Sequence, residues 1–476
     1  MVSFVTGNSP PFLPIKVKQS LSVLMACHGM ASLCLCEEKA AVASLSESRV
    51  ASVETGGSET RLLGDCGGLR SKLIERGVHV RLGYIGEVFG NVSGGRRTGA
   101  VYGGLAEMSM ELDLERLASG GWHDGRFYTS ALWTHGASLS TRLVGDAHGA
   151  SNIEAYDGVR LYKLWMEQSF FDERLSLRLG NLLADSEFAS TDYSGELLNS
   201  AFGWPAFISA NVINGGPAFP VAAPGLRVRW SPQESWFMQA GAYDGDSFDS
   251  PSGDPRVNAD GLHWRMNGQQ GAFAMGEIGF LRNHGKDDTG LPGSLRIGAW
   301  EHTADFADNY RDTAGGSFIV SGLPAKMHRG TFGAYVAAEQ MLWREGESLD
   351  EREQGLGLFG RFGAGPRDRS AFEWVASGGI HYRGPLPGRD NDRLVLGFVF
   401  AQVSRDIRRQ QRDDRDANGS SYAAFADHES VLELSYHYQL TPWMVVNPDF
   451  QWIHHPGGSG ATPDAFLVGL RFNITF

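Results

Sequence analysis

The chemistry this chain offers is concentrated in arginines set among apolar neighbours. Arg178 stands between Leu177 and Leu179, Arg296 between Leu295 and Ile297, and Arg471 between Leu470 and Phe472, while Arg227 and Arg229 flank Val228. If such segments are strands, the aliphatic neighbours point one way and the guanidinium the other. A guanidinium aimed at lipid near a bilayer midplane costs about 2–4 kcal/mol, so these side chains must face water. The same alternation puts Arg81, Glu87, Glu107, Glu111, Trp165, Glu167, Arg361 and Glu373 on the wet side. Forked donors, carboxylate acceptors and an indole face together suit a solute with many hydroxyls and apolar C–H faces. This is binding chemistry, not bond-making. The competing reading, in which these arginines and glutamates pair with one another and only hold the wall in shape, stays open.

Other constellations are weaker. Serines, histidines and acids are present, but no Gly-x-Ser-x-Gly nucleophile motif occurs, so neither an enzyme nor a cofactor is expected. His454 and His455, beside Pro456 and without an adjacent acidic or thiol residue, read as a polar loop edge and no metal is expected. Arg405–Arg415 is interleaved with aspartates and reads as a solvated loop. The net charge is −13, with Lys and Arg scattered and not gathered in a basic patch, which excludes a nucleic-acid partner. Of four cysteines, Cys27, Cys34 and Cys36 fall in the first forty residues. Removal of a leader would leave Cys66 alone, with no internal disulfide and no zinc spacing.

The elements that position these residues follow a period of two. In the last segment Phe466, Val468, Leu470, Phe472, Ile474 and Phe476 alternate with Gly469, Arg471, Asn473 and Thr475. Comparable rows are Ala106, Met108, Met110, Leu112 and Leu114; Leu175, Leu177 and Leu179; Phe372, Trp374, Ala376 and Ile380; and Leu432, Leu434, Tyr436 and Tyr438. The row Leu394, Leu396, Phe398 and Phe400 is unusual, because Val395, Gly397 and Val399 opposite it are not polar. No run of roughly 20 apolar residues suits a spanning helix. The pattern predicts an all-β fold, a transmembrane antiparallel β-barrel of about sixteen strands, near 78–89, 100–114, 125–136, 158–170, 174–182, 225–231, 235–244, 271–282, 292–304, 328–342, 354–364, 370–383, 392–404, 426–438, 443–454 and 464–476. Tight turns alternate with long polar loops at 183–224, 245–270, 305–327 and 405–425, and aromatics such as Trp343, Trp443 and Phe450 gather at strand ends. With Trp204, Phe207 and Phe219, the 183–224 loop is too apolar to stand in solvent and is predicted to fold into the channel and narrow it.

Ahead of the barrel (78–476), residues 1–43 carry Lys16, Lys18, an apolar stretch and Ala41-Val42-Ala43, the order of a secretory signal peptide. Residues 44–77 read as a periplasmic segment with a short helix over 68–77. Both termini are then expected on the periplasmic side of an outer membrane.

Several ordered motifs resemble the carbohydrate-selective porin (OprB-type) family. They are Gly64-Asp65-Cys66-Gly67-Gly68-Leu69-Arg70, Gly86-Glu87-Val88-Phe89-Gly90-Asn91, Leu164-Trp165-Met166-Glu167-Gln168, Gly384-Pro385-Leu386-Pro387-Gly388-Arg389-Asp390-Asn391-Asp392, Gln439-Leu440-Thr441-Pro442-Trp443 and Asp449-Phe450-Gln451-Trp452-Ile453. Cys66 departs from the family's tryptophan. The resemblance implies a sixteen-stranded outer-membrane barrel passing glucose and related sugars, monosaccharides or small oligosaccharides, by passive diffusion. A barrel so placed would meet outer-membrane lipid and lipopolysaccharide, and would present the strand ending in Phe476 to the assembly machinery. The alternatives are a general or organic-acid-preferring porin, which inward arginines would also suit, and a structural barrel.

Overall fold

The computed structural model describes residues 60–250, 252–285, 288–346 and 353–476. Sixteen strands follow in order: β1 (Val78–Ser93), β2 (Gly99–Asp113), β3 (Gly125–Gly136), β4 (Gly158–Phe170), β5 (Leu175–Leu182), β6 (Ala223–Gln233), β7 (Trp236–Asp244), β8 (Ala272–Arg282), β9 (Gly293–Asp312), β10 (Ala325–Arg344), β11 (Gly355–Ala364), β12 (Phe372–Arg383), β13 (Arg393–Val403), β14 (His428–Thr441), β15 (Met444–His454) and β16 (Ala465–Thr475). Each pairs antiparallel with its sequence neighbours, and β1 closes on β16. Closure removes the sheet edge, the condition for strands to sit in hydrocarbon without orphaned backbone groups.

On the outer face of the barrel wall, Val88, Leu179, Ile297, Phe398, Val468 and Leu470 are exposed, the apolar band of a transmembrane barrel. Trp122, Trp133, Trp230 and Trp343 are exposed near strand ends, as interfacial girdles require. The short helix Leu69–Glu75 lies where the sequence puts it, and its buried Arg70 reaches the Phe476 carbonyl at 3.4 Å.

Two expectations change. Much of 305–327 is paired strand, since β9 runs to Asp312 and β10 begins at Ala325; its polar residues bond within the strand pair and its turn, Asp308 with His328 at 2.8 Å and Asp312 with Ser321 at 2.6 Å. Residues Arg405–Asn418 form a helix capped by Ser404 at its start and left-handed Gly419 at its end. Ile407 is its one aliphatic side chain of any length, so it shows no apolar stripe. Residues 1–43 and most of the segment before the helix lie outside the described residues.

The barrel interior is asymmetric. The β5–β6 loop turns inward, and its Phe188, Leu197, Phe202, Phe207 and Ile208 are buried against Phe273, Trp300, Tyr335, Phe359, Val395 and Val399. That contact explains β13: its inner face is apolar because it meets a protein segment and not water. Phe372, expected outward, is buried in the same cluster, because a bulge between Phe372 and Trp374 shifts the register. A Cβ on Gly397 would come within 2.4 Å of Leu197 and 2.6 Å of Phe202. Gly397→Val is therefore expected to cost about 1–3 kcal/mol through overpacking, read as a lower midpoint for the heat-modifiable band of the folded barrel on gels. A second inward loop, 137–157, was not foreseen. Its Leu139, Val144 and Ile153 are buried, and it bonds the first loop through Asn152 N to Leu198 O (2.7 Å) and Ser200 N to Gly149 O (2.9 Å).

Candidate functional site

The inward residues fall into separate groups. The largest sits on β4, β5, β6 and β9. Arg178 is the cross-strand neighbour of both Glu167 and Arg227. Two adjacent guanidiniums need anions between them, and Glu167 accepts from Arg178 Nε (2.7 Å) and Arg227 Nη2 (2.6 Å). Glu187, arriving on the inward loop, accepts from Arg178 Nη1 at 3.0 Å and pairs with Arg227 Nε. Burial alone would push the Glu187 carboxyl up, but Arg178, Arg227 and Arg229 around it hold it below its ordinary range. Arg178 also lies 4.0 Å over the Trp165 ring, which stacks on Tyr128 at 4.9 Å. These side chains are largely buried, and the charges of Arg178, Arg227, Glu167 and Glu187 are paired with one another.

Arg229 and Arg296 differ. They share the face of Phe237 at 3.9 and 5.5 Å. Their hydrogen bonds are long: Arg229 Nη1 to Gln239 Oε1 at 3.5 Å and Nε to Ser231 Oγ at 3.4 Å, and Arg296 Nη1 at 3.4 Å to Glu277 Oε1, Glu187 O and Ser190 Oγ. Bonds near 2.9 Å are the norm, so these two carry donor capacity to spare.

The remaining predicted residues serve other places. Glu87 and Arg471 are register partners across the β1–β16 seam, bonded at 2.8 and 2.6 Å, with Arg471 also on Asn152 Oδ1 at 2.8 Å. Glu107 pairs with Lys163 at 3.4 Å. Arg361 donates to the carbonyls of Ala189, Gly203 and Ala201 at 2.8 Å and of Phe202 at 3.2 Å, so it holds the loop. Glu373 binds Arg405 at 3.0 Å, at the start of the 405–418 helix. Glu111 lies across from His79 and Tyr128, and Arg81 across from Ser109, near the short-turn end of the barrel. Of the loop aromatics, Phe207 stacks on Tyr335 at 5.9 Å, Trp204 meets Phe273 edge-on at 6.4 Å and donates to Gly215 O at 2.7 Å, and Phe219 meets Tyr162 edge-on at 6.2 Å.

A set of wall carboxylates escaped prediction. Glu277 accepts from Ala189 N (3.0 Å) and Tyr335 Oη (2.8 Å), Glu339 from Tyr193 N (3.2 Å), and Glu433 from Asn199 N (3.0 Å) and Leu198 N. Glu277 beside Ile278, and Glu433 between Leu432 and Leu434, obey the alternation that singled out the arginines, so the signal was there. Glu187 had none, because a loop has no period.

The architecture is thus a closed barrel with two loops packed against its inner wall and ion pairs among the inward side chains. A family model described as carbohydrate-selective porin, OprB family, matches residues 97–476. The chain belongs to this family. Porin B of Pseudomonas aeruginosa is 28 % identical over 437 residues, covering 87 % of this chain and 91 % of the relative. A solved structure of Pseudomonas putida OprB at high pH superposes with a TM-score of 0.78 at 25 % identity, covering 88 % of this chain and 99 % of that one. The chain is accordingly an outer-membrane porin of a channel-forming family, and the sixteen-stranded fold expected from alternation is the fold of that relative.

Proposed function

We propose that this porin passes neutral monosaccharides or small oligosaccharides by passive diffusion, and that Arg229 and Arg296, above Phe237, touch the passing sugar. The observation that carries the reading is the long, weak bonding of these two guanidiniums beside the paired charges of Arg178, Arg227, Glu167 and Glu187. Charge balance favours an uncharged solute over an organic acid. Arg178 and Arg227 are met by Glu167 and Glu187, and Arg296 by Glu277, so of the four guanidiniums only Arg229, over Phe237, has no carboxylate in an ion pair with it among the described residues, which leaves little net positive charge to draw an anion. Both termini lie on the periplasmic side in this reading, with the inward loops entering from the cell exterior. The exposed apolar belt then faces lipid and lipopolysaccharide, and the Phe476 strand is offered to the assembly machinery.

Single-channel conductance in a planar bilayer, titrated with glucose, tests this. Glucose is expected to block current in a concentration-dependent way. Arg296→Ala should weaken the block about tenfold, the loss of one charge-assisted hydrogen bond. Stronger block by succinate than by glucose would favour the organic-acid reading. Steady current with neither blocker would sink selectivity, and no conductance would point to a structural barrel.

A further inference from the structure

Three imidazoles meet on the rim of the barrel, away from the charge cluster. His428 opens β14, His454 ends β15, and His455 begins the loop to β16. The pairing of Ser430 with His454 brings the two strand ends together. Ring centroids lie 3.9 Å apart for His454 and His455, 4.9 Å for His428 and His455, and 5.3 Å for His428 and His454. One ligating atom from each lies within 4.8 Å of the other two. In sequence the His454-His455 pair had no acidic partner, but the fold supplies two. Asp464 Oδ2 accepts from His454 Nδ1 at 2.8 Å, and its Oδ1 accepts from His455 N at 3.1 Å; Asp427 Oδ2 accepts from His428 Nδ1 at 3.0 Å.

That pattern has a chemical meaning. An imidazole whose Nδ1–H is given to a carboxylate keeps its lone pair on Nε2 and becomes a better ligand, the usual outer shell of a metal-bound histidine. His454 and His428 both satisfy it. His455 Nδ1 is buried without a hydrogen-bond partner among the described residues, and the residue is held at φ 53°, a left-handed conformation that non-glycine residues adopt at a cost. Three positive imidazoliums at these separations would repel one another, whereas three neutral ones can share a cation.

We propose that His428, His454 and His455 form a binding site for one borderline divalent transition-metal ion, with zinc the type case, and that Asp464 and Asp427 orient the ligands. Three imidazole nitrogens and a fourth, open position suit such an ion. Asp427 also pairs with Arg408 of the 405–418 helix, so the ion ties the 455–464 loop to that helix at the rim.

The test is calorimetric titration of zinc chloride into the full-length, tag-free protein in detergent at neutral pH. One equivalent is expected to bind, with a nitrogen shell near ~2.0–2.1 Å in zinc X-ray absorption. Asp464→Asn keeps every ligand and should weaken binding by about 10–100-fold, and the double variant His428→Gln, His454→Gln should abolish it. Heat-modifiable gel mobility checks that each variant is folded. No saturable uptake by the parent protein overturns the proposal, as does uptake unchanged in the double variant. If the double variant fails to fold, affinity unchanged in Asp464→Asn overturns it instead.

Discussion

Arg471→Met is expected to destabilise the folded barrel by about 3–5 kcal/mol, because it strands Glu87 as a buried, unpaired carboxylate. The two residues are 384 apart in sequence yet face each other across the seam where β16 meets β1, with side chains almost fully withdrawn from solvent. Ser151 and Asn152 of the 137–157 loop add their bonds to the pair, so the variant also loosens that loop. The thermal midpoint of the heat-modifiable band in detergent measures the effect. The double variant Glu87→Gln, Arg471→Met should recover much of the loss, since removing both partners of a buried pair costs far less than removing one. Equal destabilisation by the single and double variants would mean that packing, and not charge pairing, holds the seam.

Arg361→Met should open the channel. One guanidinium satisfies four carbonyls of the inward loop, and each charge-assisted bond is worth about 1.5–3 kcal/mol when broken. Methionine fills the volume but leaves those carbonyls unpaired, so the span from Ala189 to Gly203 should leave the wall. Single-channel conductance is expected to rise severalfold with a loss of sugar block, while the barrel itself stays folded because Arg361 makes no bond to another strand's side chain among those described. Unchanged conductance would show that the wall carboxylates Glu277, Glu339 and Glu433, with the apolar burial of Phe202 and Phe207, seat the loop without Arg361.

The barrel was legible because its rule is local. Alternation places Leu432 and Leu434 outside and Glu433 inside whatever the rest of the chain does, and it found all sixteen strands in order. The inward turn of the 183–224 loop was legible from composition, since Trp204, Phe207 and Phe219 need cover. What alternation could not give is who meets whom. It placed Arg178, Arg361 and Arg471 on one wet face, and the fold sent them to three different tasks: a buried charge network, a loop and a seam. Their partners Glu187, Phe202 and Ser151 lie on loops, where no period reports position. Charge-rich stretches misled in the same way. Arg405–Asn418 looked like a solvated loop because helix formation there rests on capping by Ser404 and Gly419 and not on an apolar stripe. The two unpaired histidines of the sequence acquired their acids only when β14, β15 and the following loop converged.

The anchoring of the inward loop also sets an order of events. Leu198 is held by Glu433, 235 residues further along, and Ala189 by Arg361, 172 residues further. Contacts so distant in sequence form late, after much of the chain has been fixed. Until β11 and β14 exist, the face bearing Phe188, Phe202, Phe207 and Ile208 has nothing to rest on, though the strands on either side of it are complete. The segment that will rest on the inner wall of the finished barrel is therefore the stickiest part of the half-built one, and the place where a chaperone's grip would matter most.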